Sequence, residues 1–506
     1  MLASNMASSR SPRNRGKTGG LLWLLFPWVL VALVILFFPF RFAFELDADE
    51  GVDLVKSVLV AQGSKLYTDV WSDQPPLFTY FIAAIFKLFG VKLTLVRLMI
   101  LMFSCALFWA AVQYLRAFWG APHAVVGGVV LILLPAYLRL SVSVMFGLPA
   151  ISLAMLALLA TCYWHKEGKK LWLVLSGLAL AASVMTKLFT GLLAPLLIAG
   201  LIIQEWQGFR KTGSWRGLLT PAVIWAFVFG TFTLLIGLVL IYPDGPSQLL
   251  LNHWMAQSIE FPNPETIAGY LGKSLPVILL GVIGGVHVIR KRRWTGLYML
   301  AWALVGFLLL SQTTPVWYHH QLLVTVPTSV LGGIALGEFL VAIRSRFRNR
   351  QGERSLGALQ LVAAILIPFL VASILTESIS DLDYRLPNFI RPQETRREMQ
   401  AQNLLAAMRK YADATTIIVT DRPMLAIKLG KPVPPELAAL TGKRLLTGEL
   451  SENEIISTIV KYQPEQVALA RFELAQVDAY LRQHYRLVHE VTDHRLYLRS
   501  DLKVDR

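Results

Sequence analysis

The chain has 506 residues, of which 55% are hydrophobic and only 16% are charged. Soluble domains usually carry about 25% charged residues, so this composition excludes an ordinary soluble protein. The net charge of +16 does not indicate a nucleic-acid partner, because the basic residues fall in short clusters between long apolar runs. Such clusters are typical of the cytoplasmic loops of membrane proteins. They lie at 10–17, 165–170, 210–216, 290–293 and 344–354.

The first apolar run follows a polar segment at 1–19, which we interpret as a cytoplasmic tail. Residues 20–40 are about as long as the ~20 residues that span a bilayer, and longer than a signal-peptide core. The run therefore predicts an uncleaved first span. Eleven runs are predicted to span the membrane, at 20–40, 94–115, 122–138, 147–164, 171–186, 190–204, 218–241, 273–289, 295–311, 319–342 and 357–376.

The basic clusters predict the orientation of these spans. Clusters at 210–216, 290–293 and 344–354 are separated by two spans each, so they share the cytoplasmic side. Counting back from them places the N-terminus inside and both ends of the apolar run 76–89 outside. With 14 residues this run is short for a span, so we predict an interfacial or re-entrant helix. It belongs to a first outside loop at 41–93.

Residues 377–506 are charged and show the patterning of a soluble domain. The predicted elements are a helix at 395–412, a strand at 416–420, a helix at 451–462 that begins with the capping sequence Ser-Glu-Asn-Glu, a strand at 466–470, a helix at 472–484 and a strand pair at 486–498. The chain is thus predicted to be a multi-pass α-helical membrane protein, with a transmembrane module at 20–376 and a small outside-facing α/β domain at 377–506. The α/β domain shows no nucleotide-binding loop and no catalytic triad spacing, so no chemistry is assigned to it.

The first outside loop carries an acidic cluster. Asp47, Asp49, Glu50 and Asp53 lie within seven residues, and a helix is predicted to begin at Asp49. A carboxylate at the membrane interface can act as a general base on a hydroxyl, or it can bind a cation. The alternative is a helix N-cap followed by a solvated loop.

A longer pattern surrounds this cluster. It consists of Asp49-Glu50-Gly51, Gly63, Tyr67, Asp69, Pro75-Pro76-Leu77, Phe86-Lys87-Leu88-Phe89-Gly90 and Arg97. In order and spacing, over about fifty residues, it resembles the GT-C glycosyltransferases, most closely the protein O-mannosyltransferases and the lipid A aminoarabinose transferases. Weaker similarities are found at Met185-Thr186-Lys187 and at Tyr318-His319-His320 with Pro327.

The resemblance implies an enzyme with a GT-C fold that takes a sugar from a polyprenyl phosphate. An acceptor hydroxyl attacks the anomeric carbon with inversion. Asp49 takes the position of the family's proposed base, and Glu50 would orient the acceptor or support Asp49. The leaving group is a lipid phosphate, which requires cationic or hydrogen-bonding contacts.

The residues predicted to contact substrate are Lys187, Arg97, Arg139, His319, His320, Tyr67 and Gln74. For the basic residues among them the alternative is a role as interface anchors or helix-end residues. Asp49 and Glu50 could also hold a divalent cation, although no complete ligand set is visible, and no other cofactor is indicated. If the site is correct, Asp49, Lys187 and one further candidate from Arg97, Arg139 and His319 should surround one outward cavity.

The sequence departs from the family pattern in two places. Relatives often have a lysine before the two prolines, where this chain has Gln74, and an acidic residue after the third span, where this chain reads Ser141 to Gly147. Family contacts at these places therefore do not transfer to this chain. The sugar stays open, and so does the acceptor, which could be a protein, a lipid or a cell-surface glycan.

Two other classes of function are alternatives for a chain with many apolar runs. One is a secondary transporter or lipid flippase, and the other is a membrane scaffold whose C-terminal domain binds a partner. Transporters tend to show paired halves and polar residues at the midplane of the bilayer. This chain shows no internal repeat, and its acidic cluster is predicted to lie at the surface. We therefore expect a transferase of the inner (plasma) membrane, whose partners are the bilayer, a lipid-linked sugar and an acceptor.

Overall fold

The computed structural model describes residues 26–37, 40–41, 43–47, 49–134, 137–251, 266–313, 316–348, 365–376 and 396–502. The predicted cytoplasmic tail at 1–19 lies outside these residues. So do the beginning of the predicted span at 20–40, the beginning of the one at 357–376, and residues 377–395 of the predicted α/β domain.

Helices dominate the membrane module, as the apolar runs predicted. They are α1 (Pro27–Phe37), α2 (Glu50–Ala61), α3 (Leu77–Phe89), α4 (Leu93–Phe118), α5 (Ala121–Ile132), α6 (Tyr137–Leu140), α7 (Gly147–Glu167), α8 (Lys170–Val184), α9 (Leu193–Thr212), α10 (Trp215–Ile236), α11 (Ile267–Gly272), α12 (Leu275–Lys291), α13 (Trp294–Ser311), α14 (Leu322–Arg348) and α15 (Ile365–Thr376). In the packed bundle, α14 lies between α5 and α12, and α7 lies between α4 and α8.

Among the described residues, six helical stretches are long and apolar enough to cross a membrane. They are Leu93–Phe118, Gly147–Glu167, Leu188–Trp206, Trp215–Ile241, Trp294–Ser311 and Tyr318–Ser345. Shorter apolar helices occur at Leu77–Phe89, Ala121–Ile132, Lys170–Val184 and Ile365–Thr376. A multi-pass membrane protein is thereby confirmed, whereas the number of eleven spans stays a prediction.

One predicted span is interrupted. The run 122–138 is not a single helix, because α5 ends at Ile132 and a separate short helix begins at Tyr137. The sequence explains the break. Pro135 has no N–H to donate, and a proline disfavours helical geometry at the residue before it.

The run 76–89 forms the predicted helix, α3, which is 13 residues long. Phe78, Ile82 and Phe86 recur at a spacing of four and are buried, whereas Phe81 and Leu88 are exposed. A helix with one buried and one exposed apolar face suits the predicted position at the outer interface.

The C-terminal domain is α/β, as predicted. Its elements are α16 (Arg396–Arg409), β1 (Ile418–Thr420), α17 (Met424–Leu429), α18 (Gly442–Leu446), α19 (Glu452–Tyr462), β2 (Gln466–Leu469), α20 (Ala475–His484), β3 (Tyr485–Val491) and β4 (His494–Arg499). The predicted capping box of α19 is present, since the Ser451 hydroxyl accepts from the Glu454 N–H and the Glu454 carboxylate accepts from the Ser451 N–H. The sequence did not predict the short helices α17 and α18.

The sheet has the strand order β1-β2-β4-β3, with β1 and β2 parallel and the other pairs antiparallel. Parallel neighbours end at the same edge of a sheet. The residues that follow them, Asp421 after β1 and Ala470 to Phe472 after β2, therefore meet. The buried Asp421 carboxylate accepts hydrogen bonds from the backbone N–H groups of Ala470 (2.7 Å), Arg471 (2.8 Å) and Phe472 (2.8 Å).

The C-terminal domain packs directly on the first outside loop, through α17 and α2. Buried apolar residues of both elements, Leu54 and Val55 on α2 and Met424 and Leu425 on α17, belong to one continuous core. The contact is close at Gly51, where a Cβ atom would lie 2.5 Å from the Met424 backbone nitrogen. This explains in physical terms why glycine suits the third position of the Asp-Glu-Gly motif.

We expect Gly51→Ala to loosen the C-terminal domain from the membrane module. The added methyl group would overpack the contact with Met424, and overpacking typically costs about 1–3 kcal/mol. The measurement is the unfolding temperature in detergent, together with the rate at which a protease separates the two parts. Gly230→Ala on α10 is the control, since a Cβ there meets no atom within 4 Å. Equal behaviour of the two variants would contradict the account.

Candidate active site

Asp49 occupies the N-cap position of α2, yet its side chain makes no capping hydrogen bond. The carboxylate is therefore not used for the most common local purpose of an aspartate at a helix start. Its side chain is 42% exposed, and its Oδ1 lies 3.9 Å from Nη2 of Arg471 in the C-terminal domain. The structure thus leaves the carboxylate accessible at the surface of a cavity.

Glu50, the next residue, points elsewhere. Its carboxylate is fully buried and accepts two hydrogen bonds from Arg97 on α4, from Nε at 2.9 Å and from Nη2 at 2.7 Å. It also accepts from the backbone N–H groups of Leu46 (2.8 Å) and Val144 (3.3 Å). The remaining Arg97 nitrogen, Nη1, donates to the carbonyl oxygens of Phe40 and Ala43.

The hydrogen-bonding groups of Glu50 and Arg97 are therefore occupied by each other and by the backbone. Neither residue lines the cavity that is described below. This geometry disagrees with a contact of Glu50 to the acceptor and of Arg97 to a phosphate, because a buried carboxylate with four donors has no acceptor capacity to spare for a substrate. A divalent cation shared by Asp49 and Glu50 meets the same obstacle. Among the described residues, no group of three or more His, Cys, Asp and Glu side chains could hold a metal ion. The other predicted role of Glu50, support of Asp49, stays a prediction.

A cavity of about 690 Å³ lies between the first outside loop, the ends of several helices and the C-terminal domain. One part of its lining is charged or polar: Asp49, Asp53, Lys56, Asp73, Gln74, Lys187, His319, His320, Lys443 and Arg471. Another part is apolar and belongs largely to helices of the membrane module: Leu188, Phe189, Leu192, Leu249, Leu309, Leu310 and Trp317. The cavity is therefore amphipathic.

Lys187 and His319 meet in this cavity, with Nζ 2.8 Å from Nε2. Lys187 lies in the turn between α8 and a 3-10 segment at Leu188–Leu192, and His319 lies in the 3-10 turn at Tyr318–Gln321 that leads into α14. Burial lowers the pKa of Lys187 to about 8, although Asp53, Asp73 and Asp49 oppose that shift. Because a lysine ammonium can only donate, it requires His319 to accept through Nε2.

Asp53 and Lys56 are two cavity residues to which the sequence analysis gave no role. They form an ion pair at 2.8 Å, one turn apart on α2, and Lys56 also lies 5.6 Å from the centre of the Phe146 ring. Burial raises the pKa of Asp53 to about 6, while Lys56 opposes the shift. The spacing of three between an acidic and a basic residue on a helix was the available signal.

Arg139 supports the loop rather than the cavity. It donates to the carbonyl oxygen of Leu46 and lies 3.7 Å from Asp47, and its guanidinium stacks 5.0 Å from the centre of the Tyr318 ring. Burial and the neighbouring Asp49 raise the pKa of Asp47 to about 6, and Arg139 opposes this shift. Arg139 does not line the cavity, so its predicted contact with substrate is not supported by the geometry.

The polar groups of Tyr67 are also engaged in hydrogen bonds within the protein. Its hydroxyl donates to the carbonyl oxygen of Gln74 at 2.7 Å, and its own carbonyl accepts from Gln248 at 2.7 Å. The ring is buried and does not line the cavity, whereas Gln74 does. Tyr67 therefore shapes the segment that presents Gln74 and the two prolines.

The C-terminal domain contributes to the cavity, which the sequence analysis did not anticipate. Lys443 forms an ion pair with Asp73 at 2.9 Å, and Arg471 approaches Asp49. The buried Asp421 carboxylate fixes the backbone of Arg471, because it accepts a hydrogen bond from the Arg471 N–H. No local sequence signal could have revealed these contacts, because 370 residues separate Asp73 from Lys443.

Asp49, Lys187 and His319 line one cavity, as expected from the sequence, and His320 and Gln74 join them. Their contact with substrate stays a prediction. Arg97, Arg139, Tyr67 and Glu50 surround the site without lining it.

Comparisons with known proteins agree with this architecture. Residues 73–230 match the family described as dolichyl-phosphate-mannose-protein mannosyltransferase. This segment contains Gln74 and Lys187 but begins after Asp49. Among curated proteins, none matches the chain.

Two solved structures are similar over nearly the whole chain. ArnT from Cupriavidus metallidurans, bound to undecaprenyl phosphate, is 14% identical, with 95% of this chain and 98% of that chain covered and a TM-score of 0.61. The archaeal oligosaccharyltransferase AglB from Archaeoglobus fulgidus, in complex with an inhibitory peptide and a dolichol-phosphate, is 12% identical, with 97% and 75% covered and a TM-score of 0.55.

At this level of identity the solved structures establish the fold. The chain shares the fold of these two structures, and the resemblance to the mannosyltransferase family that the sequence motifs indicated is confirmed.

The different environments of Asp49 and Glu50 predict different effects on stability. Glu50→Gln leaves the Arg97 charge buried without its counter-charge, and breaking a buried pair in this way costs about 3–5 kcal/mol. Asp49→Asn removes no buried partner and should change the free energy of unfolding by less than about 0.5 kcal/mol. Thermal unfolding in detergent measures both variants. A Glu50→Gln variant as stable as the wild type would contradict the structural role of the pair.

Proposed function

We propose that the protein transfers a sugar from a polyprenyl-phosphate donor to an acceptor hydroxyl on the outer face of the inner (plasma) membrane, with inversion at the anomeric carbon. The observation that carries this proposal is a single amphipathic cavity in which an accessible carboxylate, Asp49, lies with a lysine–histidine pair, Lys187 and His319. In this orientation the N-terminus is cytoplasmic and the C-terminal domain lies outside.

The two parts of the cavity fit the two parts of such a donor. Leu188, Leu192 and Leu309 lie on helical stretches suited to crossing the membrane, so a long apolar chain could enter from the bilayer along them. Lys187 stands next to this apolar wall and could contact the phosphate. An ammonium group stabilises the charge on a phosphate leaving group.

The similar structures support this donor class. The ArnT structure holds undecaprenyl phosphate, and the AglB structure holds a dolichol-phosphate together with a peptide. Both ligands combine a polyprenyl-type chain with a phosphate, which is the chemistry that the cavity of this chain suits.

In the proposed reaction Asp49 is the general base. The acceptor oxygen forms a bond to the anomeric carbon while its proton moves to the Asp49 carboxylate. The bond between the anomeric carbon and the phosphate oxygen breaks, and polyprenyl phosphate leaves with the electron pair. Lys187 stabilises the charge that develops on this phosphate, and Arg471 holds the Asp49 carboxylate on its side of the cavity.

The transporter hypothesis is less well supported. The charged residues of the cavity lie on the first outside loop, at helix ends and on the C-terminal domain. Coupled transport would instead favour charged or polar sites near the middle of the spans.

We expect Asp49→Asn to lower the rate of sugar transfer by at least about 100-fold, because loss of a general base typically costs 10²–10⁴-fold. The rate is measured with labelled polyprenyl-phosphate sugars on membranes that contain equal amounts of protein. Asp413→Asn, an exposed aspartate of the C-terminal domain, is the matched control and should keep full activity. Full activity of Asp49→Asn would eliminate the assignment of the base.

The pKa of Lys187 predicts a pH dependence. Below about pH 8 the ammonium form prevails, so kcat/KM for the donor should be highest there and should fall as the pH rises through about 8. A guanidinium stays charged to a pH above about 12, so Lys187→Arg should move this alkaline decline to higher pH. Lys187→Met should be impaired at every pH. A wild-type profile that stays level to pH 10, or an unchanged decline in Lys187→Arg, would contradict the role of Lys187.

A further inference from the structure

A second cavity, of about 480 Å³, adjoins the first. Trp71 lines both cavities. The short helix α18 also separates them, since its Lys443 and Leu446 line the first cavity and its Arg444 lines the second. The lining of the second cavity is mostly polar and comes from the first outside loop, from Gln248 of the membrane module and from the C-terminal domain, where α19 contributes four residues.

Two buried polar atoms of this cavity's lining residues are left without a hydrogen-bond partner among the described residues. The first is Nε of Arg444, a buried side chain that stacks 4.9 Å from the centre of the Trp71 ring and donates through Nη1 to the carbonyl oxygens of Glu436 and Ala439. The second is Oε2 of Glu436, whose Oε1 accepts from Lys461 at 2.7 Å. Buried polar atoms without a partner are uncommon in folded proteins, and both of these belong to side chains of the same lining.

The net charge of the lining residues disfavours the binding of an anionic ligand. Three carboxylates, on Asp69, Glu436 and Glu454, face two cations, on Arg444 and Lys461, so the lining has a formal charge of −1. A phosphate would meet net repulsion here. Carboxylates and a guanidinium beside an indole ring suit a neutral ligand with many hydroxyl groups, because each hydroxyl both donates and accepts.

We propose that the second cavity binds a neutral sugar unit of the acceptor, so that the acceptor of this enzyme is a glycan. This inference rests on the proposed transferase function, because it assigns the acceptor of the same reaction. The glycan lies in the second cavity and extends past Trp71, so that one of its hydroxyl groups reaches Asp49 in the first cavity. The boundary formed by Trp71 and α18 then separates the acceptor from the lipid-linked donor.

The test uses full-length protein in detergent and three neutral hexasaccharides, built of glucose, mannose and N-acetylglucosamine. Saturation-transfer difference NMR measures their binding. In Ser457→Trp an indole fills the cavity from the exposed side of α19, where Glu454, Ser457, Thr458 and Lys461 form the stripe that lines it. Val460→Trp places the same side chain on the same helix at an exposed position outside that stripe.

We expect at least one hexasaccharide to bind the wild type and Val460→Trp equally, and to bind Ser457→Trp at least about tenfold more weakly. If Ser457→Trp unfolds at a lower temperature than Val460→Trp, Lys461→Trp, one turn further along the stripe, replaces it. Absence of hexasaccharide binding to the wild type overturns the proposal, and so does equal binding to the cavity-filled variant. Binding of a serine- and threonine-rich peptide that Ser457→Trp abolishes, with no hexasaccharide binding, assigns the cavity to a protein acceptor instead.

The binding measurement needs no donor, so it separates this inference from the proposed function. Sugar transfer from a polyprenyl phosphate together with unaltered hexasaccharide binding in Ser457→Trp overturns the glycan site alone. Hexasaccharide binding that Ser457→Trp weakens, without transfer from any polyprenyl-phosphate sugar, overturns the transferase and leaves a sugar-binding site in the second cavity.

Discussion

The buried ion pair between Arg97 and Glu50 is the interaction on which the site depends. Both side chains are fully buried, and isolated buried charges are costly, so each requires its partner and its hydrogen bonds. Through these bonds the pair joins the spanning helix α4 to Phe40 at the end of the first predicted span, to Ala43 and Leu46 in the first outside loop, and to the backbone at Val144. The start of α2 is thereby fixed against the membrane module, and Asp49 with it.

Three parts of the chain complete the site around that fixed point. Turns between helices of the membrane module supply Lys187 and His319, the helices supply most of the apolar wall, and the first outside loop supplies Asp49. The C-terminal domain adds Lys443 and Arg471. Because the two parallel strands of its sheet end beside each other, Asp421 can hold the backbone of Arg471, which extends toward Asp49. The C-terminal domain therefore forms part of the site.

The sequence predicted the parts of this arrangement that have a local signal. The apolar runs indicated the helices, the Ser451 capping box indicated the start of α19, and the motif resemblance brought Asp49, Lys187 and His319 to attention. The resemblance assigned different roles to Asp49 and Glu50, but no local signal showed that only Asp49 would face the cavity. Successive side chains at a helix start differ by about 100° in direction, so one carboxylate faces the cavity and the other faces Arg97. Contacts such as Asp73 with Lys443 depend on tertiary packing across 370 residues and leave no local pattern.

The central claim is that a polyprenyl-phosphate sugar enters this amphipathic cavity and loses its sugar there to an acceptor hydroxyl. The most direct measurement is to incubate the purified protein with a panel of labelled polyprenyl-phosphate sugars and a membrane extract as acceptor source, and to follow both the lipid and the label. The account predicts that one donor is consumed, that free polyprenyl phosphate is released in equal amount, and that the transferred sugar has the opposite anomeric configuration. Consumption of no donor across the panel, or retention of the anomeric configuration, would contradict it.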